Sequence, residues 1–207
     1  MSIQSTLIKL SLVATVATLM GCASTPEATQ DTSPRPNQTI QESYEKPAEY
    51  ESSDLAYAIS THLGVTSESA ATAIERIFKD HGRPVGYITG EEGGGAITVG
   101  AKYGKGTLWM RNGDTRKVYW QGPSIGFDVG ADASKVFTLV YNLQDPDYIY
   151  QRFPGVDGSA YLVAGMAVNY QRANGIVLAP VRTGIGARLG ANVGYRSYTR
   201  SRSWLPF

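Results

Sequence analysis

The sequence has little cysteine and little histidine, with one Cys and two His in 207 residues. One cysteine cannot form an intramolecular disulfide, so the stability of the folded part must come from its core. The histidines, His62 and His81, stand far apart and are more typical of helix ends or surfaces than of a metal site. We therefore expect no metal and no cofactor.

The single cysteine, Cys22, follows an uncharged apolar run at residues 10–20, LSLVATVATLM. That run has the length of a secretory signal, about half of the ~20 residues that a membrane-spanning helix needs. The block Leu19-Met20-Gly21-Cys22 resembles the bacterial lipobox, which predicts cleavage after residue 21 and lipidation of Cys22. Ala23 follows rather than Asp, which favours the periplasmic side of the outer membrane. The alternative is a plain signal peptide with a chance cysteine.

Residues 22–50 are rich in Pro, Thr, Ser, Gln and Glu and contain almost no aliphatic side chains. Such a segment cannot bury enough apolar surface to offset its ordering entropy. The sequence therefore predicts three parts: a lipoprotein signal peptide at 1–21, a disordered tether at 22–50 and a folded domain at 51–207. The lipid anchor makes the membrane a partner, and this compartment excludes nucleic acid.

The domain opens with two helical patterns, at residues 54–64 and 66–82, each with a capping residue at its start and glycine at its end. After Pro84 the apolar period changes to two, and glycines bound the short runs. A helical turn from Asp145 interrupts them. The pattern predicts a mainly β fold, a small closed antiparallel β-barrel with two N-terminal helices and a short inserted helix.

No segment has the residue spacing of a known catalytic or ligand-binding motif. The segment 104–107 lacks both the first glycine and the Ser or Thr of a phosphate loop, and the glycines at 184–190 lack dinucleotide spacing. Asp128 and Asp132 do not match a calcium loop. Glu91 and Glu92 would point to opposite faces of a strand, and among glycines they indicate a turn. We therefore expect no enzyme activity.

The charge distribution is uneven, because no acidic residue follows Asp157 and every basic residue there is arginine. In the last strand pattern alternate residues would form an exposed stripe of basic and aromatic side chains. Arginine binds phosphate in a bidentate manner and aromatics suit membrane interfaces, so the stripe predicts binding to anionic lipid or lipopolysaccharide. The alternative interpretation is that the stripe is a solvated face of the barrel, where the arginine stems cover apolar surface. The candidate ligand-binding residues are Arg188, Arg196, Tyr198, Arg200, Arg202 and Trp204.

Several long strings are familiar: KGTLWMR (105–111), KVYWQGPSIGFDVG (117–130), SKVFTLVYN (134–142), YQRFPGVDGS (150–159) and GANVGYRSYTR (190–200). They resemble the EipA-like envelope integrity proteins of Gram-negative bacteria, from about Tyr44 to Phe207. The resemblance implies an exported, small conical β-barrel with flanking helices that supports the cell envelope without catalysis. A more distant resemblance is to SYLF domains, some of which bind lipids.

Three functions stay open: a lipid-anchored scaffold or interaction protein that works with other envelope proteins, a carrier of an apolar ligand inside the barrel, and a hydrolase with an unfamiliar site. The side chains inside the barrel distinguish the scaffold from the carrier. Inward side chains such as Phe127, Phe137 and Leu139 would fill it, whereas Gly165, Ala167 and Gly190 would leave a cleft at one end. A membrane-spanning barrel is disfavoured, because the residues alternating back from Phe207 do not form an apolar band.

Overall fold

The computed structural model describes residues 48–95, 99–125, 134–183 and 194–203. The predicted signal peptide, Cys22 and residues 23–47 lie outside the described residues. Tyr50, at the end of the predicted tether, packs on the domain. Its backbone N–H donates to the Pro84 carbonyl at 2.9 Å, and its ring meets the Tyr87 ring edge-on.

Both predicted helices are present, α1 at Ser52–Leu63 and α2 at Ser67–His81. The Thr66 side chain caps α2 by accepting from the Ser69 N–H. Gly64 follows α1 with φ 72°, a left-handed conformation that glycine adopts without strain. The predicted inserted helix is a single 3₁₀ turn, Pro146–Ile149. Within the described residues, no helix has both the length and the apolarity needed to span a membrane.

Ten described strands form one antiparallel sheet in the order β5-β10-β3-β2-β1-β4-β9-β7-β6, with β8 paired to β9. The strands are β1 Gly86–Gly95, β2 Val99–Met110, β3 Thr115–Ile125, β4 Ser134–Tyr141, β5 Arg152–Pro154, β6 Tyr161–Val163, β7 Met166–Val168, β8 Gln171–Ala173, β9 Ile176–Thr183 and β10 Tyr195–Thr199.

The sheet curls into a half-barrel. Gly155, just after β5, forms one isolated bridge to Gln171 of β8. This confirms the mainly β, antiparallel part of the prediction. One bridge is less than continuous strand pairing, so the closed conical barrel stays a prediction.

The inner face of the curled sheet carries one of two cores. Alternate residues of the long strands point there, together with side chains that follow β4 and the 3₁₀ turn. Trp120 is 3 % exposed and belongs to this core. Its indole lies over Gly104, where a Cβ would collide with the ring. The buried members of this core are Val85, Ile88, Leu108, Met110, Val118, Trp120, Val136, Val140, Leu143, Ile149, Phe153, Ile176, Leu178 and Tyr198.

The outer face of β4, β9 and β7 carries the second core, which α1 and α2 cover. Phe137 and Leu139 belong to it, so the expectation that they fill the barrel interior is wrong. The physical reason is register: on β4 the odd-numbered residues face the helices, and Val136 and Val140 face inward. Phe127 and Gly190 lie outside the described residues, and Gly165 is exposed in the tight turn between β6 and β7.

Candidate functional site

The predicted arginine stripe is divided between two environments. Arg196 and Tyr198 share a face of β10, as expected, but they are only 6 % and 2 % exposed. That face points into the curled sheet, where the Tyr198 ring meets Trp120 and Phe153. The prediction that this face is exposed is therefore wrong for Arg196 and Tyr198, because alternation fixes which residues share a face but not which side faces water.

Of the other predicted stripe residues, the structure describes Arg200 and Arg202. Arg200, just past β10, is exposed, pairs with Asp147 at 3.0 Å and lies over the Tyr150 ring. Arg202 is exposed. Arg188 and Trp204 lie outside the described residues. Binding of anionic headgroups by Arg200 and Arg202 stays a prediction.

Arg196 instead joins a buried ion cluster around Glu92, a residue whose role the sequence did not reveal. The Glu92 Oε1 atom accepts from Arg182 Nε at 2.5 Å, and its Oε2 accepts from Arg196 Nη2 at 2.8 Å. Trp120 Nε1 also donates to Oε2, at 3.2 Å. All three charged side chains are at most 7 % exposed. The cluster therefore exists without bulk water around it.

The cluster connects strands that are not neighbours in the sheet. Glu92 lies on β1, Arg182 on β9 and Arg196 on β10, with β4 between the first two and β2 and β3 between the first and third. The ion pairs thus cross the space inside the curl rather than run along the sheet. We infer that the cluster fixes the curvature of the sheet at this level.

The Glu92 carboxyl stays ionised. Burial alone would raise its pKa, but Arg182, Arg196 and Lys102 outweigh that effect and lower the pKa to about 2. Both guanidiniums also stay charged. The cluster therefore holds two positive groups against one carboxylate, and Arg196 Nη1 has no hydrogen-bond partner among the described residues. A carboxyl with this pKa and both oxygens engaged is a poor general acid.

The strand pattern separates Glu92 from Glu91, whereas the local composition around them indicated a turn. Glycines at 90 and 93–95 suggested a turn, but β1 runs straight through them and pairs with β2 up to Gly95. Glu91 is exposed and Glu92 is buried, so the expectation of opposite faces is correct while that of a turn is wrong.

The two histidines have structural contacts. His62 of α1 reaches between β1 and β4, where its Nε2 lies 3.1 Å from the carbonyl oxygens of both Gly90 and Val136. His81 packs edge-on against the Tyr170 ring. Among the described residues no three His, Cys, Asp or Glu side chains form a group that could hold a metal ion.

A cavity of about 330 Å³ lies beside the ion cluster. Glu92 and Trp120 form part of its wall, and residues of β1, β2 and β3 together with Arg202 and Ser203 complete it. The lining combines carboxylates, basic groups and tyrosines. It is a small site of mixed polarity.

A larger open groove of about 670 Å³ lies between α1 and the outer face of the sheet. Tyr57 of α1 and Trp109 of β2 border it and are 73 % and 40 % exposed. Trp109 Nε1 donates to Thr89 Oγ1 at 2.9 Å, which fixes the indole on the sheet. The groove, called the aromatic groove below, is lined by Ser53, Asp54, Tyr57, Ala58, Thr61, His62, Tyr87, Thr89, Trp109 and Lys135.

Comparison with known proteins gives a consistent family. The family model described as envelope integrity protein A matches residues 48–207. A crystal structure of a beta-barrel-like, uncharacterized protein from Brucella abortus is 46 % identical, covering 77 % of this chain and 99 % of that one, with a TM-score of 0.71. The comparison with curated proteins finds no match. The SYLF resemblance stays a prediction.

Proposed function

Because the chain belongs to the envelope integrity protein A family, we propose that it is an exported, lipid-anchored, non-catalytic protein that supports the bacterial cell envelope. The lipid on Cys22 holds it at the periplasmic side of the outer membrane, and residues 23–47 let the domain stand away from the bilayer. The domain acts as a scaffold or interaction protein. One observation carries this proposal: the block at residues 19–22, which resembles a lipobox, stands before a domain that matches the family from residue 48.

The state of the chemically versatile side chains supports a non-catalytic role. Glu92 is ionised and bonded to two arginines, and His62 bonds the backbone between two strands. A catalytic carboxyl or imidazole needs a free position facing substrate and a pKa near the working pH. Glu92 meets neither condition, and the Nε2 atom of His62 is engaged by the backbone of two strands, which disfavours the hydrolase alternative.

The carrier alternative is disfavoured by the inner core. Large side chains fill the inner face of the curled sheet, among them Phe153, Leu108 and Trp120. If the sheet closes into the conical barrel of the family, the barrel encloses a packed core rather than a space for an acyl chain. Headgroup binding by Arg200 and Arg202 remains a second way to contact the membrane.

The test of the anchor is a Cys22→Ala substitution in the full chain, with Ser24→Ala as the matched control. Cells lacking the protein are complemented with each version, then fractionated and challenged with detergent and cell-wall antibiotics. We expect Ser24→Ala to behave as wild type. We expect Cys22→Ala to leave the membrane fraction and to restore resistance only partly, because the variant has no thiol to carry the lipid anchor.

Two results would contradict the proposal. Cys22→Ala protein that stays in the membrane after carbonate extraction would exclude the lipid as the anchor. Wild-type protein that fails to restore resistance to the deletion strain would exclude the envelope role.

A further inference from the structure

The aromatic groove exposes two large aromatic side chains to water. Tyr57 and Trp109 are two of the large side chains that stay mostly or partly in water among the described residues, and both border the same groove. Isolated exposed aromatics are ordinary, but two that border one concave site mark a binding surface. The groove volume of about 670 Å³ lies within the roughly 300–1,000 Å³ range of small-ligand sites.

The aromatic floor of the groove is held in place by contacts within the domain. Trp109 pairs with Tyr87 across β1 and β2, and its indole is bonded to Thr89. Tyr87 stacks on Phe137, with ring centroids 5.0 Å apart and an interplanar angle of 14°. Phe137 itself is fully buried. A preformed aromatic floor binds at a lower entropic cost than one that must be ordered.

The wall and rim are polar rather than apolar. Ser53, Asp54 and Thr61 of α1 stand on one side, and Lys135 of β4 stands on another. The Asp54 carboxylate forms an ion pair with Arg111, with 3.6 Å between Oδ2 and Nη1, and this contact holds it at the groove. Hydroxyls, one carboxylate and one ammonium offer both donors and acceptors with little net charge.

This combination discriminates among ligand classes. An acyl chain needs an apolar lining, and this one is mixed. An extended peptide that adds to a sheet needs a free strand edge, but β1, β2 and β4 are each paired on both sides. A phosphate group is best held by arginine forks, and none of the described residues that line the groove is arginine. A sugar ring has an apolar CH face for an aromatic side chain and hydroxyls for the polar rim.

We propose that the aromatic groove binds a saccharide, with one ring stacked on Trp109, Tyr57 contacting the same or the next ring, and the ring hydroxyls bonded by Asp54, Thr61 and Lys135. The binding follows from the groove alone. Its biological source rests on the proposed envelope location, where cell-wall glycan and lipopolysaccharide sugars share this ring chemistry.

The test uses the full chain purified in detergent and isothermal titration with two probes. One is the disaccharide released from the cell wall by a muramidase, and the other is de-acylated lipopolysaccharide oligosaccharide. Intrinsic fluorescence gives a second readout, because Trp109 is partly exposed and Trp120 is buried. We expect binding of at least one probe, with a change in tryptophan emission that is absent in Trp109→Ala.

Substitutions at Tyr57 keep the proposal testable if Trp109→Ala perturbs the sheet. Tyr57 is on the water-facing side of α1, so Tyr57→Ala should fold normally. We expect Tyr57→Ala to weaken binding about tenfold and Tyr57→Phe to preserve it, since the ring makes the contact. Tyr148→Ala removes another exposed tyrosine, 61 % against 73 % for Tyr57, that lies outside the groove, and it should bind as wild type.

The outcomes separate the possibilities. Preference for one probe identifies the source of the sugar. Failure of wild-type protein to bind either probe, or equal binding by wild type and Tyr57→Ala, overturns the saccharide site. Because the Cys22 experiment measures membrane attachment and resistance in cells, either proposal can fail while the other stands.

Discussion

Arg196 and Arg200 lie close together, one in β10 and one just after it, yet they occupy opposite environments. The Arg196–Glu92 pair has side chains that are 7 % and 4 % exposed, and the Arg200–Asp147 pair has side chains that are 64 % and 46 % exposed. The distances are similar, 2.8 and 3.0 Å. The distances therefore do not show which ion pair contributes more to stability. A buried pair broken on one side leaves an unsolvated charge, whereas a surface pair is replaced by water.

The largest expected effect comes from removing the buried carboxylate. Glu92→Gln leaves Arg182 and Arg196 buried without a counter-charge, which should lower the free energy of unfolding by about 3–5 kcal/mol. Urea denaturation followed by tryptophan fluorescence measures it. Asp147→Asn is the matched control at the exposed pair and should keep a midpoint near that of wild type. Equal midpoints for Glu92→Gln and wild type would show that the cluster does not hold the sheet together.

Lowering the pH should also distinguish the buried carboxylate from the exposed one, with a smaller loss of stability than Glu92→Gln. The pKa of Glu92 is lowered to about 2 in the folded protein, against 4.5 as its ordinary value. Because the folded-state pKa is depressed, this carboxylate stabilises the fold above pH 4.5, and that contribution is lost as pH falls from there toward 2. The pKa of Asp147 is also lowered. The hydrogen bond from Arg116 and the contact with Arg200 outweigh the desolvation that would raise it.

Melting temperatures between pH 6 and pH 2 separate the two carboxylates. We expect the decline of Asp147→Asn to follow that of wild type, since water screens the exposed pair. A decline that disappears in Asp147→Asn would instead assign the acid sensitivity to the surface.

The smallest expected effect is at the surface arginine. Arg200→Ser removes one partner of Asp147 but leaves the Arg116 Nε contact at 3.1 Å. We expect a melting temperature indistinguishable from that of wild type by calorimetry. Arg196→Ser, made in parallel, should melt far lower. Similar melting of the two variants would remove the distinction between buried and exposed pairs.

Local sequence signals were sufficient for the helices. Thr66, Gly64 and Gly82 mark helix boundaries through capping chemistry that operates within a few residues, and those boundaries agree with the structure to within about two residues. The change of the apolar period to two after Pro84 likewise indicated strands. Their alternation showed which residues share a face.

The ion cluster could not be predicted in the same way. Glu92 meets Arg182 and Arg196, which are 90 and 104 residues further along the chain. Nothing near Glu92 in sequence indicates these partners, and the adjoining glycines indicate a turn. Knowing that the Arg196 face is the inner one requires the strand order, which is itself a set of long-range pairings. The aromatic groove was missed for the same reason, because α1 and β2 meet only in the folded domain.

The position of His62 has a consequence for the order of folding events. Its imidazole bonds backbone atoms of Gly90 and Val136, which lie 28 and 74 residues further along the chain. Helix α1 comes before every strand, yet this bond cannot form until β1 and β4 have already paired. Contacts of such long range are acquired slowly, after loop closure has been accomplished elsewhere. We therefore expect the first helix of the domain to complete its docking late, so that loss of the His62 contact raises the unfolding rate more than it lowers the folding rate.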